Sequence, residues 1–149
     1  MKLVLLSGGS GKRLWPLSND ARSKQFFKLL EDENCHTQSM IQRVWKQLNR
    51  VHLAESTIIA TSKNQVDIIQ SQIGQKEVDI VIEPSRRDTF PAIALAAAYL
   101  YSERNVSVDE TIAILPVDPF VQDAFFEQVT KLESLLNQTN ADIALIGVK

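Results

Sequence analysis

The chain has a single cysteine, Cys35, so it cannot close an internal disulfide, and no second cysteine stands at metal-site spacing. A reducing, cytoplasmic setting fits that usage. Basic excess is also missing: 16 Lys and Arg face 18 Asp and Glu, for a formal net charge of -2. Nucleic-acid domains usually carry a clear positive surplus, so nucleic acid is not an expected partner and any anionic ligand must be met locally. Long apolar runs are absent too. The opening run "KLVLL" stops at Leu6, short of the roughly 7 to 15 residues of a secretory h-region. No segment approaches the roughly 20 apolar residues that span a bilayer, and no membrane partner is expected. Neither His36 nor His52 has companions at metal-ligand spacing, and both read as surface residues.

What is present is a chain of 149 residues, 44% hydrophobic and 23% charged, enough for one ordinary core and without a disorder signature. Short apolar runs of strand length alternate with amphipathic ones. "KLVLL", "STIIAT", "VDIVIE", "TIAILPV" and "DIALIGV" predict five strands, apolar on both faces as in a parallel sheet. Between them, "QSMIQRVWKQLNRV" and "KNQVDIIQSQI" carry helical periodicity, "FPAIALAAAYLYSE" is a strong helix former with Pro91 tolerated in its first turn, and "AFFEQVTKLESLLNQ" supplies the last helix. Such alternation predicts an α/β fold, a Rossmann-like, doubly wound and mostly parallel sheet. No internal repeat or linker interrupts it. Because Lys149 directly follows an expected core strand with nothing to cover it, the chain reads as the amino-terminal part of a larger domain. Apolar surface left bare at that edge would favour self-association, so a homo-oligomer is a candidate assembly.

The stretch "LSGGSGKRLWPLS", Leu6 to Ser18, follows the first strand and concentrates glycine with positive charge. Glycine lets backbone amides approach an anion closely. A Walker A loop would need glycine at Leu6 and Ser or Thr at Arg13, and both positions fail. A dinucleotide fingerprint is met at Gly9 and Gly11 but has Leu14 in the third place, which disfavours an NAD-binding domain. On its own the loop equally describes an ordinary turn.

Three ordered motifs decide more than the loop alone. "GGSGKRLWPLS" with "SKQF", then "EPSRRDTFPAIALAAAYL", then "ILPVDPF" together resemble the sugar-phosphate nucleotidyltransferases, and within them the mannose-1-phosphate guanylyltransferase branch. The resemblance implies transfer of a guanylyl group from GTP to mannose 1-phosphate with Mg²⁺, giving GDP-mannose and pyrophosphate. Two polyanions must approach each other in such a reaction, so preorganised cations and amides are the physical requirement. It further implies that the backbone from Gly8 through Gly9 and Ser10 to Gly11 cradles the nucleotide phosphates beside Leu6. Lys12 and Arg13 would neutralise charge, with Arg13 and Lys24 as the catalytic cations and Asp118 as the metal carboxylate. Glu83 would select guanine by accepting from its N1–H and N2–H₂ donors. Pro84, Arg87, Asp88 and Thr89 would complete the nucleotide site, with the helix starting near Thr89 aiming its positive end there.

Other readings stay open at this level. Asp118 beside Pro119 also describes a turn or cap, Asp88 and Thr89 describe helix caps, and Arg86 with Arg87 a solvated pair. Trp15, Trp45, Phe26, Phe27, Phe125 and Phe126 read as packing. Ser23 stands where many relatives have proline, and Pro119 where a histidine often follows the aspartate. The family's sugar pocket and second acidic metal ligand lie beyond residue 149. A related transferase with another base or sugar, or a non-catalytic nucleotide-sensing module on the same fold, would share these motifs.

Overall fold

The computed structural model describes residues 1–9, 16–18, 23–74, 78–139 and 141–147. Strand β1 (Lys2–Leu6) is followed by a 3-10 turn (Lys24–Phe26) and a short antiparallel hairpin of β2 (Leu30–Glu31) and β3 (Thr37–Gln38). Helix α1 (Met40–Arg50), β4 (Thr57–Ser62), α2 (Val66–Ile73), β5 (Asp79–Glu83), α3 (Thr89–Arg104), β6 (Ile112–Pro116) and α4 (Asp123–Gln138) complete the order. The main sheet runs β5-β4-β1-β6 with every pairing parallel. The expected doubly wound α/β arrangement is therefore present.

Strand alternation sorts the core into two layers. Leu3, Leu5 and Ile59 point to one face, where they pack with Ile41, Val44 and Leu48 of α1, Ile69 of α2 and Phe126 of α4. Val4, Ile58, Ala60 and Val81 point to the other, against Ala96 and Leu100 of α3. Leu3, Leu5, Ile41, Leu48 and Phe126 are wholly buried, each contributing about 1.5–3 kcal/mol by leaving water. On α3 the inward positions Ala92, Ala96 and Leu100 recur every four residues, and the two alanines let the helix lie close over the strands.

Local signals set the helix ends. Ser39 caps α1 in a reciprocal box: its Oγ accepts from the Gln42 amide at 3.3 Å, and Gln42 Oε1 accepts from the Ser39 amide at 3.0 Å. Gly74 leaves α2 at φ 95°, and Asn105 closes α3 in the left-handed region at φ 51°.

Two expectations differ from the structure. The run "DIALIGV" forms no strand over its described residues 142–147, and Ile143 and Leu145 are 77% and 87% exposed. Its apolarity records what would fit a two-sided core, whereas ladder formation requires an adjacent edge to pair with. Asp88 occupies the cap position of α3 but makes no side-chain cap bond, because its backbone, at φ 63° and ψ −164°, departs from the extended form in which a cap reaches the first-turn amides. The β2–β3 hairpin had no sequence signal. Asp32 organises it by accepting at Oδ1 from the amides of Asn34 and His36, both at 3.0 Å.

Candidate functional site

Parallel strands all end on one side, and the segments leaving β1, β5 and β6 converge there. Two adjoining cavities open at this edge. One, of about 430 Å³, is lined by Leu6, Ser7, Gly9, Ser23, Lys24, Gln25, Thr89 and Pro116 to Asp118. Its neighbour, of about 510 Å³, is lined by Leu6, Gly8, Gly9, Glu83, Arg86, Asp88, Thr89 and Ala92. Leu6, Gly9 and Thr89 border both.

In the first cavity, Lys24 Nζ forms an ion pair with Asp118 Oδ2. Their side chains are 48% and 25% exposed, so the pair faces solvent rather than the core. Lys24 is placed by the 3-10 turn it begins, and Asp118 follows Val117, whose amide donates to the Leu6 carbonyl at 3.1 Å and fastens the exit of β6 to that of β1. A cation and a carboxylate far apart in the chain thus meet beside the glycine segment.

In the second cavity, register puts Glu83 beside Ser62 at the end of β4, on the face covered by α3. The Glu83 side chain reaches past the β4 end to Gly8, where a Cβ would stand 2.5 Å from its Oε1. Only glycine leaves that space open. Burial raises the Glu83 carboxyl above its ordinary value, and the Arg86 charge pulls the opposite way. Thr89 begins α3 at the rim, so the first-turn amides of a 16-residue helix face the cavities.

Pro84 and Arg87 line neither of these two cavities but a third, of about 460 Å³, with Glu83, Ser85, Pro91 and Leu95, and Glu83 borders both it and the second cavity. Arg87 Nε donates to Ser85 Oγ at 3.2 Å. Ser10, Gly11, Lys12 and Arg13, with Leu14 and Trp15, lie outside the described residues. Cys35, His36 and His52 are exposed, while Phe26, Trp45 and Phe126 are buried packing.

Along the wall of the first cavity runs a polar network to which the motif reading assigned no role. Gln25 Nε2 donates to the Ser7 carbonyl at 3.2 Å, Ser23 Oγ donates to the Gly9 carbonyl at 2.8 Å, and Gln65 Nε2 donates to Ser23 Oγ at 2.9 Å. Ser7 and Gln25 sit inside or beside the quoted motifs. Gln65 lies in a stretch whose spacing predicts helix only, and burial of one polar residue there leaves no periodic trace.

The donor set bears on Mg²⁺. Among the described residues no group of three or more His, Cys, Asp or Glu could hold a metal ion, and Asp118 is the one carboxylate among those lining the Lys24 cavity. Mg²⁺ characteristically keeps several waters and binds through one or two carboxylates plus substrate phosphates. The residues present fit an ion that arrives with a nucleotide. Among the described residues, no helix is long and apolar enough to cross a membrane.

A profile of the nucleotidyl transferase family matches residues 2–149. The chain is 34% identical over 150 residues to the xanthan biosynthesis protein XanB of Xanthomonas campestris, covering 98% of this chain and 30% of that protein. It is 34% identical over 152 residues to the alginate biosynthesis protein AlgA of Pseudomonas aeruginosa, covering 97% and 29%. To a mannose-1-phosphate guanylyltransferase of Escherichia coli it is 31% identical over 121 residues, covering 80% and 25%. A crystal structure described as a mannose-1-phosphate geranyltransferase from Thermus thermophilus superposes with a TM-score of 0.68 at 27% identity, over 89% of this chain and 37% of that one. The chain spans about 30% of the length of the first two relatives.

Proposed function

As the chain belongs to the nucleotidyl transferase family, we propose that it forms the nucleotide-facing part of a mannose-1-phosphate guanylyltransferase, acting on GTP and mannose 1-phosphate. The observation that carries this reading is the Lys24–Asp118 pair at the mouth of a cavity bordered by Gly9 and Thr89, with Glu83 in the adjoining cavity.

In the reaction a phosphate oxygen of the sugar phosphate attacks the α-phosphorus of GTP. The bond from that phosphorus to the bridging oxygen breaks, and its electron pair leaves on pyrophosphate. The nucleophile is already an anion, so no general base is required. Charge is the obstacle, and it is met by groups held in place before the substrates arrive. The backbone at Gly8 and Gly9 and the first turn of α3 offer amides to the phosphates. Lys24 brings its ammonium to the oxygens around the reacting phosphorus. Asp118 would hold Mg²⁺, which supplies charge neutralisation on the phosphates when bound. On nucleotide binding Lys24 exchanges a carboxylate partner for a phosphate one. Glu83, as a carboxylate, accepts from the two donors on the guanine edge and repels the acceptor N1 of adenine. Arg13, Lys12, Ser10, Gly11, Pro84 and Arg87 belong to the same proposal through the motif resemblance.

Titration calorimetry of the folded chain with GTP, ATP and NAD, each with and without Mg²⁺, tests the reading. The expected result is binding of GTP that strengthens with Mg²⁺ and weakens in Lys24→Ala. Equal binding of ATP and GTP, or binding of NAD alone, overturns it.

A further inference from the structure

Gln65 is a wholly buried amide at the end of the 3-10 turn Lys63–Gln65, between β4 and α2. A buried amide without partners is costly, and here each hydrogen-bonding position has one. Nε2 donates to Ser23 Oγ at 2.9 Å and to the Gly9 carbonyl at 3.3 Å. Oε1 accepts from Thr61 Oγ1 at 3.1 Å and from Ser7 Oγ at 3.4 Å. The directions are mutually consistent. Ser23 accepts from Gln65 and spends its own hydrogen on the Gly9 carbonyl at 2.8 Å, whereas Ser7 donates to Gln65 and accepts from Gln25 Nε2 at 3.3 Å. Turning the amide over would set Oε1 against the Gly9 carbonyl, acceptor against acceptor.

One side chain therefore joins three segments: the exit of β1 at Ser7 and Gly9, the residue before Lys24, and the end of β4. Gln65 is not among the described residues lining the Lys24 cavity, although its partners Ser7, Gly9 and Ser23 are. The Gly9 carbonyl is held by two donors, Ser23 Oγ and Gln65 Nε2, so it is not free to turn. Ser23 is covalently next to Lys24, so the same amide governs both the glycine segment and the cation.

We infer that Gln65 is a positioning residue, which sets the separation between the Gly8–Gly9 backbone and the Lys24 ammonium so that both meet one polyphosphate. The identity of the ligand rests on the nucleotidyl-transfer reading, while the spacing itself does not. A purely structural glutamine would behave differently: its loss would weaken the fold equally whether or not Lys24 were present.

The test uses Gln65→Met, which keeps length and removes the hydrogen bonds, Lys24→Met, and the double variant, with Mg²⁺–GTP and inorganic tripolyphosphate as calorimetric probes. Amide hydrogen exchange is followed at residues 7–9 and 23–26, with the α1 interior at 41–48 as a control for folding. The expected result is about tenfold weaker binding of both probes in Gln65→Met, corresponding to loss of the paired bonds. In the Lys24→Met background the same change costs less than about threefold, the mark of coupled sites. Exchange accelerates at Ser7 and Phe26, whose amides donate to the Ala60 and Ser23 carbonyls, but not in α1. Unaltered binding in Gln65→Met, or the same loss with and without Lys24, overturns the inference. If the unsubstituted chain binds neither probe, the nucleotidyl-transfer reading fails separately, and exchange alone decides the spacing role: unchanged rates at Ser7 and Phe26 overturn it. Should Gln65→Met not fold, Gln65→Glu, which retains the shape and removes both amide donors, is read by the same criteria.

Discussion

The Glu83 carboxylate fills the space that a side chain on Gly8 would need, with Oε1 2.5 Å from where a Cβ would be. Gly8 is not among the residues at positive φ, so its backbone accepts alanine and the conflict lies with Glu83 alone. Because the opposing atom is the end of a flexible side chain, Gly8→Ala is expected to stay within about 1 kcal/mol of the parent in thermal unfolding. Glu83 must then move. Preference for GTP over ATP should fall about tenfold in competitive binding, the loss of roughly one good hydrogen-bond pair. Selectivity that survives Gly8→Ala would separate Glu83 from base choice.

Burial raises the folded-state pKa of Glu83 above 4.5, with Arg86 opposing. The folded state thus holds this proton more tightly than the unfolded one. The stabilisation is full below the unfolded value near 4.5 and is lost as pH rises through the raised folded value. Glu83→Gln should flatten that part of the stability profile, gaining on the parent as pH increases through the same window. Ligand binding has the opposite sign, because guanine needs the carboxylate: GTP affinity should climb across the window while ATP affinity, opposed by the carboxylate at adenine N1, does not rise. Chemical denaturation and calorimetry from pH 4 to 8 measure both.

Lys24 and Asp118 form a partly exposed pair, so breaking it should cost little stability, at most about 1 kcal/mol. Function should respond far more strongly. Lys24→Met is expected to weaken Mg²⁺–GTP binding about tenfold or more, since charge-assisted contacts to phosphate are among the stronger ones. Asp118→Asn should abolish the strengthening by Mg²⁺ and leave metal-free GTP binding in place. Equal loss in both conditions would remove Asp118 from the metal role.

In the hairpin, Lys46 donates to Asp32 Oδ2 at 3.0 Å, and with the His36 and Asn34 amides it holds the Asp32 carboxyl at about 2 rather than 3.8. The linked stabilisation is present above the unfolded value and disappears as pH falls through about 2. Carboxyl NMR titration should place the Asp32 midpoint near 2 and move it upward in Lys46→Met. An unmoved midpoint would assign the shift to the backbone amides alone.

Ser39 is wholly buried, caps α1 and donates from Oγ to Gln72 Oε1 at 2.6 Å. Ser39→Ala should cost about 1–2 kcal/mol in denaturant unfolding through loss of the cap and of that buried partner. GTP binding should change far less than in Gln65→Met or Lys24→Met, because Ser39 reaches the Lys24 turn only through Gln72, whose Nε2 donates to the Phe26 carbonyl at 3.0 Å.

Periodicity and composition sufficed for the four parallel strands and four helices because both are written in consecutive residues: most elements carry an apolar stripe, whereas α3 is apolar nearly all round and follows from its alanine-rich, helix-forming composition. The segment 142–147 shows the boundary of that reasoning, since Ile143 and Leu145 carry the same pattern without a ladder partner. Asp88 shows another: residue type favours a cap, but the backbone entering α3 turns the carboxylate elsewhere. The hairpin depends on Asp32 accepting from two amides, a local bond pattern invisible to hydrophobic spacing.

The sequence by itself determined the alternation of strand and helix, and with it the edge at which loops collect. It also determined the residue types there, since the motifs holding Gly8, Lys24, Glu83 and Asp118 are contiguous and carry their chemistry in their side chains. Only the tertiary structure decided which of them meet. Lys24 reaches Asp118 because β6 pairs with β1, and Glu83 reaches Gly8 because its register beside Ser62 puts it at the end of β4, where the segment leaving β1 passes. Gln65 became visible only when Gly9, Ser23 and Thr61 closed around it, because a buried hydrogen bond depends on partners distant along the chain, whereas a stripe depends on neighbours.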